Sequence, residues 1–135
     1  KTMKGSELCG LEYEPMFDFY SNRKQTYPNT FTVLSGDFVS DESGTGIVHM
    51  APGFGEDDYQ TCLAAAVITE TDVPCPIDYS GRYVDPVSAD WLVGKYVKDA
   101  DNLIIKHIEE GKRLLWRSQI NHSYPFCWRS DTPLL

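Results

Sequence analysis

Apolar positions at helical spacing concentrate in one stretch of the chain. Between Tyr96 and Glu110, the residues Ala100, Leu103, Ile104 and Ile108 recur every three or four positions among charged neighbours. That period predicts an amphipathic helix from about Tyr96 to Glu110, with Gly111 as its C-cap. A second helix is expected from Glu56 to about Ala66. Its first turn carries Glu56, Asp57 and Asp58, negative charge that suits the positive end of a helix dipole.

Elsewhere the pattern is short and β-like. Glu12 to Tyr20 is aromatic-rich, and Pro15 restricts it to an edge strand or extended loop. Thr30 to Leu34 and Asp37 to Val39 are β-branched and aromatic, with Ser35-Gly36 as a turn or bulge between them. Ile47 to Met50 reads as a short buried strand after Gly44-Thr45-Gly46, and Pro52-Gly53-Phe54-Gly55 as a loop. Pro74 to Pro76 is extended, Tyr79 to Arg82 is a turn, and Leu114 to Tyr124 is extended again. Short strands with a few packed helices predict a β-rich α+β fold, a barrel or bent sheet with peripheral helices. No repeat, low-complexity stretch or linker divides residues 1–135, so one domain is expected.

Composition narrows the class. A length of 135 residues and 41% hydrophobic content support a modest core. The longest near-apolar run, Cys62 to Ile68, is too short to cross a bilayer, and no secretory signal pattern is visible. Cys9, Cys62, Cys75 and Cys127 are dispersed, without a C-x-x-C pair, which fits reduced thiols in a cytoplasmic protein and predicts no disulfide. The net charge of −8 disfavours a general nucleic-acid binder. The charge is uneven, however. Residues 1–81 hold 4 basic and 13 acidic residues, while residues 82–135 hold 8 basic and 7 acidic. The acidic first half would repel a long phosphate backbone but could hold a cationic amine, and a nucleic acid could still touch the chain with its tip.

Gly44 to Tyr59, GTGIVHMAPGFGEDDY, is the most informative stretch. Its four glycines and one proline provide a tight turn and a loop whose backbone another molecule can approach closely. His49 and Asp58, nine residues apart across a strand, loop and helix start, can face one cavity. The stretch is neither a GxGxxG fingerprint nor a P-loop, and composition alone leaves both residues open between structural and functional roles.

GTGIVHMAPGFGEDDY resembles the core motif of the editing domain shared by the isoleucyl-, valyl- and leucyl-tRNA synthetases. The histidine after Val48 and the Gly55-Glu56-Asp57-Asp58 run are similar to the isoleucyl branch. Lys4 to Leu8 and Tyr13 to Asp18 resemble the segment that precedes this motif. His122 to Leu134, HSYPFCWRSDTPL, resembles the stretch where such chains leave the editing insertion. Tyr96 to Asp101 fits the eukaryotic cytosolic type.

The resemblance implies a barrel-like editing fold and hydrolysis of the ester between valine and the tRNA for isoleucine, with valyl-adenylate as a further substrate. Asp58 would hold the substrate's α-ammonium by a charge-assisted hydrogen bond. His49 would limit pocket depth, admitting valine and excluding isoleucine, with water orientation or general-base work as further roles. Val48 lies beside it at the substrate, and Phe54 and Gly55 would meet the terminal adenosine. The implied partners are the 3′ end of the isoleucine tRNA carrying valine and the rest of a synthetase, with no membrane. No cofactor is implied here, since ATP and magnesium serve a separate synthetic site.

No metal site is expected either. His49, His107 and His122 are scattered, and Ser130 stands where some relatives place a cysteine partner for Cys127. The family's threonine-rich segment, which supplies hydroxyls around the ester, lies upstream of everything in this sequence. The expectation is therefore an excised segment of a larger synthetase. That leaves two readings, a hydrolase site and a binding-only or structural fragment. Glu56 and Asp57 read as helix N-terminal residues. Trp91, Trp116 and Trp128 read as core or interdomain packing, and Lys112, Arg113 and Arg117 as a solvated basic face.

Overall fold

A computed structural model describes residues 3–42, 45–84, 89–119 and 123–134. The chain divides into two compact units, Lys1–Cys75 and Pro76–Leu135. Three α-helices are described: α1 (Arg23–Thr26), α2 (Glu56–Ala64) and α3 (Val97–Glu110), with a 3₁₀ turn at Gly5–Leu8.

The two helices expected from the pattern are present. α2 begins at Gly55, an extended N-cap, with Glu56, Asp57 and Asp58 in its first turn, and buries Cys62. α3 begins at Tyr96, also extended, and buries Ala100 on its apolar stripe. Both helices end in the same way. Ala66 adopts a left-handed φ of 54° and Lys112 one of 55°. The N–H of Val67 reaches back to the Cys62 carbonyl at 2.9 Å, and that of Arg113 to the Ile108 carbonyl at 3.0 Å. Ala66 and Lys112 donate to Leu63 and Glu109 at 3.1 and 2.9 Å, completing a Schellman closure at each helix. Gly111 is the C-cap of α3, as expected; it is right-handed, with φ −73°, and the left-handed residue is the next one, Lys112.

The β-rich, barrel-like expectation is not met. Among the described residues there is no strand, only five isolated antiparallel bridges. The reason lies in the backbone between the β-branched residues. Phe31 has φ 61°, which breaks the run Thr30 to Leu34 into single-residue pairings. That run pairs only through the Glu12–Thr32 bridge and three backbone hydrogen bonds, Gly10 to Val33, Val33 to Leu11 and Tyr13 to Phe31, at 2.8 to 2.9 Å. Asp37 and Phe38 form a turn closed by Val39 N–H on the Gly36 carbonyl. Ile47 to Met50 has no strand partner among the described residues, and Ile47 and Val48 are 66% and 51% exposed rather than buried. A short apolar run without a neighbouring strand gains neither ladder nor core.

Unit 1 is tied together by side chains. Asp72 accepts Arg23 Nη1 at 2.7 Å through Oδ1 and the Tyr27 hydroxyl at 2.6 Å through Oδ2, joining α1 to the end of the unit. Asn29 Nδ2 donates to the Ala65 carbonyl at the end of α2, 2.7 Å away. Among its described residues, Cys62, Ile68 and Thr30 are buried.

Unit 2 is built around α3. Asp78 Oδ1 caps the expected turn by accepting the N–H groups of Ser80 and Arg82 at 2.8 and 2.9 Å. The bridges Ile77–Tyr83 and Arg82–Tyr96 tie this turn to the start of α3. Trp91 stacks on His107 with ring centroids 4.8 Å apart. Tyr124 lies under the Lys98 ammonium and donates its hydroxyl to the Leu134 carbonyl at 2.7 Å. Trp116 and Trp128, expected in packing, are 81% and 86% exposed in this chain.

Candidate functional site

The loop from Thr45 to Asp58 is held by its own polar groups. The Thr45 hydroxyl donates to the Ile47 carbonyl and accepts the Ile47 N–H, at 3.1 and 3.3 Å. The peptide groups of Ala51 form the hub of the next turn. Its carbonyl accepts the N–H of Phe54 at 2.9 Å and of Gly55 at 3.2 Å. Its N–H is taken by Asp58 Oδ2 at 2.8 Å, so the carboxylate reaches back from the first turn of α2 to the end of the apolar run. A charged acceptor makes this a stronger bond than a neutral one.

Two glycines in this loop answer to close approach. A Cβ on Gly53 would stand 2.9 Å from the Pro74 carbonyl oxygen, and one on Gly55 would stand 3.0 Å from Asp58 Oδ2. Neither has a positive φ; at Gly53 the obstacle is a backbone atom, while at Gly55 it is a side chain that would have to give by a few tenths of an ångström. Composition marked this loop as glycine-rich without revealing which atoms come close.

Unit 1 contains an open groove of about 1310 Å³ whose lining includes Tyr13, Val33, Phe38, Val48, His49 and Thr61. Of the residues singled out in the sequence, the groove brings together Val48 and His49. Asp58, Phe54 and Gly55 are not among its lining residues. His49 is exposed and Asp58 half-buried. The apolar lining from Tyr13, Val33 and Phe38 was not assigned to a site from the sequence, because their aromatic and β-branched character signals packing in general. Gly44 and His122, part of the two motifs, lie outside the described residues.

The thiols have distinct surroundings. Burial pushes the Cys62 thiol up, with the Asp58 charge adding to it. At Cys127 the Ser130 side chain, followed by the backbone of Ser130 and Arg129, donates hydrogen bonds that hold the thiol below its ordinary range. The Ser130 and Thr132 hydroxyls are 2.8 Å apart in the same turn. Among the described residues no cluster of three or more His, Cys, Asp or Glu side chains could hold a metal ion.

No family model matches the chain. Curated relatives do, along almost its whole length. It is 51% identical over 132 residues to isoleucine–tRNA ligase of Tetrahymena thermophila, which covers 98% of this chain and 12% of that protein. Identity is 53% over 134 residues to the cytoplasmic isoleucine–tRNA ligase of Saccharomyces cerevisiae, with the same two shares. It is 48% over 132 residues to the cytoplasmic enzyme of Mus musculus, covering 97% of this chain and 10% of the relative. Such identity along nearly the whole chain defines an aminoacyl-tRNA synthetase sequence. Within that class, the chain belongs to the isoleucyl-tRNA synthetase family. It spans about an eighth of the length of the first two of these relatives.

Proposed function

We propose that this chain is the proofreading part of a cytoplasmic isoleucyl-tRNA synthetase and hydrolyses valine from the isoleucine tRNA. The observation that carries the reading is the Gly44–Tyr59 loop, in a chain 48 to 53% identical to isoleucine–tRNA ligases. There the Asp58 carboxylate is fixed on the Ala51 amide close to Val48 and His49 in sequence. A size-based site cannot reject valine strongly, since one methylene is worth only ~1–3 kcal/mol. The isoleucine–valine pair is the standard illustration of that limit, and a second site that hydrolyses the smaller product removes it.

In this reading Asp58 uses Oδ2 to stay on the loop and Oδ1 to accept the α-ammonium of the aminoacyl group. His49, on the groove wall, meets the side chain and sets the depth that admits valine and excludes isoleucine. Val48 adds apolar contact, and Phe54 and Gly55 meet the terminal adenosine. A water molecule attacks the ester carbonyl, the bond to the ribose oxygen breaks, and the products are valine and a tRNA with its hydroxyl restored. Neither ATP nor a metal enters this step. Valyl-adenylate presents the same ammonium and side chain and is a further substrate.

A second reading is a segment that binds the aminoacyl end without hydrolysing it. It is favoured by the half-buried Asp58, whose Oδ2 is already engaged and which does not line the groove. Deacylation of valyl-tRNA, compared between this chain and a full-length synthetase containing it, separates the two. Release of valine by both supports the hydrolase. Binding without release by the full-length enzyme leaves the second reading.

A further inference from the structure

We infer that Gly55 is a positioning residue that acts through Asp58, resting on the proposed role of Asp58 as the ammonium anchor. Three atoms of Asp58 crowd the place where a Cβ on Gly55 would stand: Oδ2 at 3.0 Å, Cγ at 3.1 Å and Cβ at 3.4 Å. The same Oδ2 takes the Ala51 N–H at 2.8 Å, so the carboxylate is pinned from one side and has no slack toward the other. Gly55 is the N-cap of α2, with φ −133° and ψ 135°, a conformation open to any residue and comfortable for a β-branched one. Its backbone therefore does not require glycine. The carboxylate does.

A side chain at position 55 has one way to fit. Asp58 must rotate away by a few tenths of an ångström or more, which lengthens its bond to Ala51 and turns Oδ1 from the ammonium. The effect grows with the size of the substituent, so Gly55→Val exceeds Gly55→Ala. The proposed nucleoside contact of Gly55 makes a different demand. A bulkier residue there would hinder the adenosine whether or not an ammonium is present.

The test measures binding of two non-hydrolysable 3′-amide analogues of acylated adenosine to the full-length enzyme. One carries valine with its α-ammonium, and the other carries the same acyl group with hydrogen in place of the amine. Wild type should prefer the valyl analogue roughly tenfold or more, the scale of one charge-assisted hydrogen bond. Gly55→Ala should lose several-fold of that preference and Gly55→Val most of it, the preference being the ratio between the two analogues, in which any hindrance of the shared adenosine cancels. Binding of the des-amino analogue at all shows that the variants are folded. Equal weakening of both analogues, or weakening of neither, overturns the inference. Absence of any preference in wild type overturns the anchoring role of Asp58 itself, a result read from wild type alone and so distinct from a failure at Gly55.

Discussion

Arg23 and Asp72 stand 49 positions apart and meet at 2.7 Å, with the guanidinium of Arg23 also reaching the Asp72 carbonyl at 3.2 Å. Tyr27 donates to the second carboxylate oxygen. The hydrogen bond from Arg23, followed by that from Tyr27, holds the Asp72 carboxyl below the ordinary carboxylate range. A depressed carboxyl stabilises the fold above its unfolded-state value and loses that contribution as pH falls through the lowered one. The stability of unit 1 should therefore fall in acid below about pH 4, the ordinary carboxylate range. Asp72→Asn should be less stable at neutral pH and flatter across the acid limb. Because the Asp72 side chain is 47% exposed, high salt should shrink the difference. Thermal melts of both proteins between pH 7 and pH 3, with and without added salt, check this.

The helix ends give a stability prediction of opposite sign. Ala66 and Lys112 occupy left-handed conformations that cost a residue with a Cβ roughly 1–2 kcal/mol. Glycine at either position should stabilise the chain by about 1 kcal/mol, and the two gains should add, since they close different helices in different units. At Gly111 the argument reverses. Its φ is −73°, and an added Cβ would meet only the His107 and Ile108 carbonyls at 3.5 and 3.6 Å. Gly111→Ala should be neutral or stabilising by about 0.4–1 kcal/mol through the unfolded chain. Denaturant titrations of the three variants suffice, and a loss of stability in Ala66→Gly would refute the strain.

α3 was legible because its stripe of Ala100, Leu103, Ile104 and Ile108 has a period that only a helix satisfies, and α2 because three acidic residues in a row suit only a helix start. The C-cap Gly111 was legible too, but not that the left-handed residue is Lys112 beyond it, since a glycine offers left-handed freedom without saying whether it is used. The β-rich expectation failed for a related reason. β-branched and aromatic residues report a wish to pack, not a partner, and Phe31 at φ 61° interrupts the run that looked most like a strand. At the candidate site the glycine-rich loop was visible, and so were His49 and Asp58. The bond from Asp58 to Ala51 was not, because a hydrogen bond to a backbone N–H leaves no trace in the identity of the residue that donates it.

Gly53 should be intolerant of substitution for a reason independent of any ligand. A Cβ there would lie 2.9 Å from the Pro74 carbonyl oxygen, a backbone atom that cannot rotate aside. Gly53→Ala should cost about 1–3 kcal/mol, the usual penalty of overpacking. The measurement is again a denaturant midpoint. A shift within error of wild type would show that the loop and the Pro74 segment separate easily.

The division of labour between Asp58 and His49 can be read from two charged tRNAs. If Asp58 holds the ammonium, Asp58→Ala in the full-length enzyme should abolish hydrolysis of valyl-tRNA. Loss of a charge-assisted hydrogen bond, about 1.5–3 kcal/mol, already accounts for roughly tenfold or more, and misplacing the ester carbonyl deepens the defect. Asp58→Asn refines the point. It keeps an oxygen that can accept the Ala51 N–H and removes the charge, so the loop should remain folded while hydrolysis is still lost. Recovery of activity in Asp58→Asn would instead mean that the carboxylate serves the loop alone. His49 should behave differently. It is exposed on the wall of the groove beside Val48, so truncation opens space without unpinning the loop. His49→Ala should then begin to hydrolyse correctly charged isoleucyl-tRNA, an activity the wild type must suppress, while keeping much of its action on valyl-tRNA. The deacylation rates of both tRNAs by all three variants decide the matter. Should His49→Ala lose valyl-tRNA hydrolysis and gain none on isoleucyl-tRNA, pocket depth is set elsewhere, and His49 acts on the water or on the proton it releases.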